Sequence, residues 1–468
     1  MKTKTRQELL SEEQAEGFLE VSRTTLWRLR RSGTLPFYKI GSKVRYAVED
    51  LREWLDEQRG VMAVHESAAD YAVTKPAGPH ESGWKVALES QDWSFHDEFT
   101  TSLTHGIHPY PAKFPPQIPA RLIEILTQPG DVVLDPFCGS GTTLVEAVRL
   151  DRAAVGSDIN PVAVLVTEAK TARLDVVAER VLDELEQAVD SDAARERGQP
   201  LLFSEPAVER TPVGPPSIPN LERWFEPVAI KEIGLVLARI ESLQSDLARR
   251  VARSALSSIL VAVSNQDSET RYTARPKALA AGDVLACFLR KLREVSDVLI
   301  AFREVSAPRE ARVLLADARY LPADVVGRVD AVVTSPPYAN AFDYHLYHRH
   351  RMYWLGYDPG ELRRQEIGSH LNYQRRGNGI ETYRSDMQLC LKSIAMVLKP
   401  GGACAFVVGD SVFFGKVVDN AGVIVSVSSG LGFRCLTIVE RRIHPVKRSM
   451  IKPARRARVE KIVLLVRQ

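Results

Sequence analysis

The sequence is poor in the features that would send a chain to a membrane, an oxidising compartment or a metal centre. No apolar run approaches the roughly 18–20 residues needed to cross a bilayer, so no helical span organises the chain. Only five cysteines occur, at 138, 287, 390, 404 and 435, and none makes a C-x-x-C pair. That spacing argues against a disulfide framework and against a zinc site, and it fits a reduced cytoplasm. The start, Met1 to Arg6, is basic but has no apolar core behind it, and does not read as a signal peptide. An excess of charge of one sign is also lacking, with 62 Lys and Arg against 59 Asp and Glu. A net charge of +3 is too small for affinity to polyanions to be inferred from the total.

What is present is ordinary globular composition, 45% hydrophobic and 26% charged over 468 residues, enough for two or three domains. The organising stretch is Thr334-Ser335-Pro336-Pro337-Tyr338, directly after the buried-strand pattern Ala331-Val332-Val333. Two prolines stop the strand and lack N–H groups, so the turn offers acceptors: the Ser335 hydroxyl and the Pro336 carbonyl. Beside them Tyr338 supplies an aromatic face. Rigid acceptors next to a stacking ring suit a planar group with an exocyclic amine, a nucleobase. On these residues alone, a plain strand-ending turn is an equal reading.

Residues 8–59 read as a separate unit. Ser11 and Gln14 make a capping box, and Ser22 starts a second helix that ends at Ser32-Gly33. The runs Phe37–Ile40 and Lys43–Tyr46, joined by Gly41-Ser42, predict a hairpin. A last helix runs from Val48 to Arg59. This winged helix-turn-helix pattern resembles the excisionase-like DNA-binding domains. The resemblance puts Arg23, Thr24, Thr25, Trp27 and Arg28 on a recognition helix and Lys43 and Arg45 on the wing near phosphates. Residues 60–92, with Pro76, Gly78 and Pro79, read as a linker.

Past the linker, the segment His108 to Phe114 precedes a helix with Ile118, Leu122, Ile125 and Leu126 on one face. The strand Asp131–Asp135 then leads into Pro136-Phe137-Cys138-Gly139-Ser140-Gly141-Thr142-Thr143 and a helix. The glycines let backbone pass close to a ligand at a helix N-terminus. A second strand ends on Asp158, placed to grip ribose hydroxyls. The loop falls short of the three-glycine dinucleotide pattern and lacks the Lys-Ser/Thr pair of a nucleotide phosphate loop. A third strand, Val313–Ala316, ends at Asp317.

Asp135-Pro136-Phe137-Cys138-Gly139-Ser140-Gly141-Thr142-Thr143 together with Ser335-Pro336-Pro337-Tyr338 resembles the amino-methyltransferases of DNA. These use S-adenosyl-L-methionine to modify cytosine N4 or adenine N6. The likeness covers most of residues 93–170, a cofactor half, and 306–468, a catalytic half. It implies a Rossmann-like α/β fold with a mixed seven-stranded sheet and helices on both faces, beside the winged helix-turn-helix and a helical insertion. By the resemblance Asp135, Phe137, Gly139, Gly141 and Thr142 line the methionine part of the cofactor and Asp158 holds its ribose. Lys113 lies near its carboxylate, and Asp317 reads the adenine amino group or is a plain strand-end residue. Ser335, Pro336, Pro337 and Tyr338 form the catalytic turn, and no metal is implied. Serine in the first position resembles the cytosine-N4 subgroup, with adenine N6 the alternative. A DNA-binding regulator on an inactive methyltransferase scaffold is the reading from another class. Double-stranded DNA is the expected partner, in a restriction-modification setting with a cognate restriction endonuclease.

Residues 171–305 are helical in period and carry no cofactor motif. They are read as a large insertion before the third strand, which the resemblance offers as a target-recognition region although its place in the chain does not by itself assign that role. A polar run ending in Arg271, Tyr272, Arg275 and Lys277 either faces DNA or packs over the active site. The basic and aromatic run His345 to Trp354, and the arginines between 441 and 458, either neutralise phosphates or form solvated faces.

Overall fold

The computed structural model describes residues 9–19, 35–40, 43–52, 54, 81–95, 99–199, 211–269, 271–340, 343–369, 371, 379–413, 416–443 and 459–468. It divides into two units, Met1–Lys75 and Pro76–Gln468. In the first, strand β1 (Leu9–Leu10) leads into helix α1 (Glu12–Leu19). The capping box is made in both directions: the Gln14 amide donates to Ser11 Oγ at 3.2 Å, and the Ser11 amide to Gln14 Oε1 at 2.9 Å. Strands β2 (Tyr38–Ile40) and β3 (Lys43–Ala47) pair with Ile40 opposite Lys43, the register a two-residue connection requires. Ala15, Leu19, Leu35, Tyr46 and Leu51 are the buried core of this unit. Lys43 and Arg45 sit on β3, where the Arg45 guanidinium donates to the Val44 carbonyl at 2.8 Å. Arg23, Thr24, Thr25, Trp27 and Arg28 lie outside the described residues.

The second unit is built on a seven-stranded sheet. Its strands are β4 (Val132–Asp135), β5 (Ala153–Asp158), β8 (Ala311–Leu315), β9 (Val329–Thr334), β10 (Leu398–Gly409), β13 (Phe433–Arg442) and β14 (Val459–Arg467). The order is β13-β14-β10-β9-β4-β5-β8, with β14 antiparallel to both its neighbours and the other pairings parallel. This is the mixed Rossmann-like sheet. The two-residue period of a strand sorts its side chains. Val133, Ala331, Val333, Ala405, Val407 and Leu464 face one core, under helices α2 (Glu81–Ser90), α3 (Gln117–Leu126) and α4 (Thr142–Arg149). Leu134, Val332, Cys404, Phe406, Val463 and Leu465 face the other, under the long helix Gly379–Val397 and the helix Asn420–Ser428. Strand β10 begins earlier than its apolar run, because Lys399-Pro400-Gly401-Gly402 makes an irregularity between Leu398 and Ala403 instead of a turn.

Between β5 and β8 the chain leaves the sheet. Helix α5 (Pro161–Lys170) packs back on it, and α6 (Val176–Glu196), α7 (Pro227–Glu241), α8 (Asp246–Ile259) and α9 (Asp283–Val305) build a separate core around Leu182, Phe225, Val236, Leu256 and Phe288. The helical period read from Val228 to Val263 is two helices. Ser245 caps the second, its Oγ accepting from the Ala248 amide at 3.2 Å. The polar run after α8 is a hairpin, β6 (Gln266–Ser268) with β7 (Arg271–Ala274), and a second small antiparallel pair, β11 (Ser411–Phe413) with β12 (Lys416–Val418), follows β10.

Two expectations are corrected. Within the 60–92 linker span lies α2, whose Trp84 and Leu88, one turn apart, are buried against the sheet. The prolines and glycines before it hid a short amphipathic helix. The run His345 to Trp354 is no phosphate patch. His345, His348, His350, Arg351 and Trp354 are all buried, on helices α10 (Tyr344–Tyr347) and α11 (Arg349–Trp354) and the residue between them. Strands β13 and β14 are the closing antiparallel pair, while the arginines between 444 and 458 lie outside the described residues.

Candidate functional site

In a sheet of this order, parallel strands end along one edge, and the reversal between β4 and β9 opens a crevice there. Asp135, Asp158 and Ser335 all stand at or directly past the C-terminal ends of β4, β5 and β9, and Asp317 two residues past β8. The loop after β4 is bent by Gly139 at φ +50° and Gly141 at φ +78°, conformations disfavoured for residues with a Cβ. At Gly141 space also forbids one: a Cβ would stand 2.7 Å from Thr167 Cγ2. Thr167 Oγ1 in turn donates to the Gly139 carbonyl at 3.0 Å, so α5 holds the loop. Gly141 is followed at once by Thr142, buried at the start of α4.

The two acids are tied into this loop. Asp158 accepts from the amides of Gly139 at 2.9 Å and Asn160 at 2.8 Å. Asp135 accepts from the Phe137 amide at 3.1 Å and from the Thr334 hydroxyl at 2.6 Å. Thr334 is the residue before Ser335, so one buried hydrogen bond joins the glycine loop to the Ser-Pro-Pro-Tyr turn. Sequence reading missed this pair; its only signal was a hydroxyl at the end of an apolar strand. Burial pushes both carboxyls up to about 6, against the pull of those hydrogen bonds, and Asp135 raises Asp158 further.

The turn itself is clamped from three sides. Pro337 gives its carbonyl to Tyr383 Oη at 3.1 Å. Tyr338 Oη donates to Glu460 of β14 at 3.2 Å, and Glu460 pairs with Arg441 of β13. The Tyr338 phenol is held well above its ordinary range, chiefly by burial and then by the Glu460 carboxylate. Asn340 donates to the Val412 carbonyl at 2.9 Å. Tyr383, Glu460 and Asn340 carry no motif in the sequence.

Over the glycine loop lies Tyr110, its ring 3.6 Å from where a Gly139 Cβ would be and 4.6 Å from the His348 ring. His108 beside it binds Ser257 Oγ of α8 at 2.9 Å, tying this segment to the insertion. Lys113 donates to the His105 carbonyl at 2.7 Å, and His105 reaches Glu146 of α4 at 2.7 Å. Asp317 is committed to Arg319, which bonds both its carboxylate oxygens and also Asp386 at 2.7 Å. The structure thus brings together the glycine loop, Asp135, Asp158 and the Ser335 turn, and gives Lys113 and Asp317 local partners. Asp343, His345 and Glu366 have ligand atoms within 4.8 Å of one another. Internal bonds engage them: His345 to Glu366 at 2.7 Å and Ser369 to Asp343 at 2.7 Å.

Residues 36–169 match the family model described as DNA methylase, and residues 9–59 the model described as helix-turn-helix domain. Over 279 residues the chain is 26% identical to the Type II methyltransferase M.MvaI of Kocuria varians, covering 55% of this chain and 58% of that protein. It is 41% identical over 76 residues to the Type II methyltransferase M.MjaII of Methanocaldococcus jannaschii, 16% of this chain and 14% of that one. To the Type II methyltransferase M.BglI of Bacillus subtilis it is 54% identical over 50 residues, 11% of this chain and 14% of that one. The chain spans 14% to 58% of the length of these relatives. The resemblance read from the two motifs is borne out, as is that of the helix-turn-helix.

Proposed function

We propose that this chain, which carries a DNA methylase segment beside a helix-turn-helix segment, transfers a methyl group from S-adenosylmethionine to the exocyclic N4 amine of cytosine in duplex DNA. The observation that carries the reading is the Thr334–Asp135 hydrogen bond of 2.6 Å, which fixes the acceptor-bearing turn against the glycine loop. The residues present fit the cofactor. Asp135 and Asp158 give two carboxylates to a cationic ligand with a ribose diol, the left-handed glycines let backbone approach it, and Lys113 is the cation for its carboxylate. When bound, the cofactor supplies an electrophilic methyl on a sulfonium.

The chain's own residues have a positioning task. An exocyclic amine is a weak nucleophile because its lone pair is delocalised into the ring. Ser335 Oγ and the Pro336 carbonyl accept hydrogen bonds from its N–H groups and draw the nitrogen towards tetrahedral geometry, the surplus proton of the methylated amine leaves to solvent, and alignment contributes much of the rate. The base must leave the duplex to reach this edge. Tyr338, anchored by Glu460, is the ring beside it. Cys138 is buried, and burial holds its thiol well above the ordinary range, which supports amine transfer over a route through a thiolate nucleophile. Ser335 in the first position supports cytosine; adenine N6 is the second reading. The helix-turn-helix is read as a further DNA contact, and a cognate endonuclease as the partner enzyme.

The test is transfer of a labelled methyl group to duplex DNA, followed by identification of the modified nucleoside by mass spectrometry. N4-methylcytosine is expected, lost in Ser335→Ala with cofactor binding kept. N6-methyladenine would replace cytosine by adenine, and absence of transfer would overturn the reading.

A further inference from the structure

The hairpin of the insertion divides its residues between two faces in a way that no cofactor role explains. Along β7 and one residue beyond, Tyr272 and Ala274 lie on the face towards the insertion: the Tyr272 ring, still 37% exposed, lies 4.4 Å from Trp224 and stacks on His350 at 5.5 Å and 15°, and the half-buried Ala274 packs on the insertion core. Arg271, Thr273 and Arg275 turn outwards and are exposed. The Arg271 side chain is 70% exposed and only loosely paired, 3.7 Å from Asp267. Lys277, grouped with them in the sequence, points home and donates to the Val261 carbonyl at 2.6 Å.

The ribbon is pinned to the catalytic half. Glu269, at its tip, accepts from Arg351 at 2.7 Å, and the same buried guanidinium donates to the Ser257 carbonyl of α8 at 2.9 Å. Arg349 lies 4.2 Å over the Tyr272 ring. Both arginines belong to α11, in the segment that follows Tyr338, so the outward face is held in a fixed relation to the turn.

We infer that this ribbon enters the major groove of the duplex next to the target base, with Arg271 and Arg275 on phosphates at its two walls and Thr273 on base edges between. A two-stranded ribbon fits that groove, and residues four apart on a strand stand about 13 Å apart against a groove about 12 Å wide. The inference rests on the function proposed above.

Binding of the full chain to a duplex containing its methylation site is measured across salt concentrations, with position-resolved methylation, for wild type and the Arg271→Ala/Arg275→Ala variant. Losing two phosphate contacts removes about 1.8 from the slope of log affinity against log salt, with melting temperature and cofactor binding unchanged. Thr273→Ala keeps the slope and relaxes sequence preference. An unchanged slope in the double variant overturns the proposal, as does an unchanged site preference in Thr273→Ala. Wild type that binds duplex but transfers no methyl sinks the function alone, leaving the ribbon to stand or fall on the slope. Wild type that binds no duplex sinks both.

Discussion

Thr334→Val tests the joint between the glycine loop and the Ser-Pro-Pro-Tyr turn. The change keeps the shape of a side chain that is wholly buried and removes one hydroxyl from Asp135, itself 3% exposed. Burial has raised this carboxyl from the ordinary 3.8 to about 6. The fold therefore holds the proton longer than the unfolded chain does, and what Asp135 contributes to stability is greatest below about pH 4 and is lost as pH rises through 6. At pH 5 the variant loses a neutral hydrogen bond, about 0.5–1.5 kcal/mol, and at pH 8 a charged one, about 1.5–3 kcal/mol. The difference is on the order of one pKa unit, so the Asp135 carboxyl is pushed further up and destabilisation deepens with pH. Thermal melting at pH 5 and pH 8 reads this directly. The acid limb of the methyl-transfer profile should move to higher pH by a similar amount, with Thr334→Ser restoring both. Equal loss of stability at the two pH values would refute the reasoning.

Two further outcomes follow from the same edge. Gly141→Ala puts a Cβ at φ +78° and 2.7 Å from Thr167, and should lower stability by about 1–2 kcal/mol and weaken S-adenosylmethionine binding at least tenfold by calorimetry, with a milder loss if Thr167→Ala is added. Arg319→Met leaves Asp317 and Asp386 facing each other in a half-buried setting, and should lower the melting temperature and the cofactor affinity together; unaltered affinity would remove Asp317 from the site.

The two ends of the site were legible because each is written in local chemistry: a glycine pair between strand and helix, and two prolines ending a strand. The sheet followed from apolar runs of strand length, and the insertion from their absence. What joins these parts was not legible. Thr334 and Asp135 are 199 residues apart, and Tyr338 and Glu460 are 122 apart. Periodicity reports a face, and it carries no information on which distant residue meets it. The histidines and arginines after Tyr338 misled for a related reason. Composition cannot distinguish a solvated cation from one such as Arg351, buried between Ser257 and Glu269.

The detour between β5 and β8 has a consequence for assembly. Ala154 to Asp158 and Ala311 to Leu315 lie side by side, yet the whole insertion must be traversed before they meet. Among the described residues strand β8 pairs with β5 alone, and its Leu315 is 62% exposed. Closing so long a loop is slow, and an edge strand with one partner is among the first to open. The other six strands can be in place while the wall that carries Asp317 is still missing. On the site proposed above, cofactor affinity then reports whether the insertion has folded: a chain with its insertion undone would keep most of its sheet and lose part of its hold on the methyl donor.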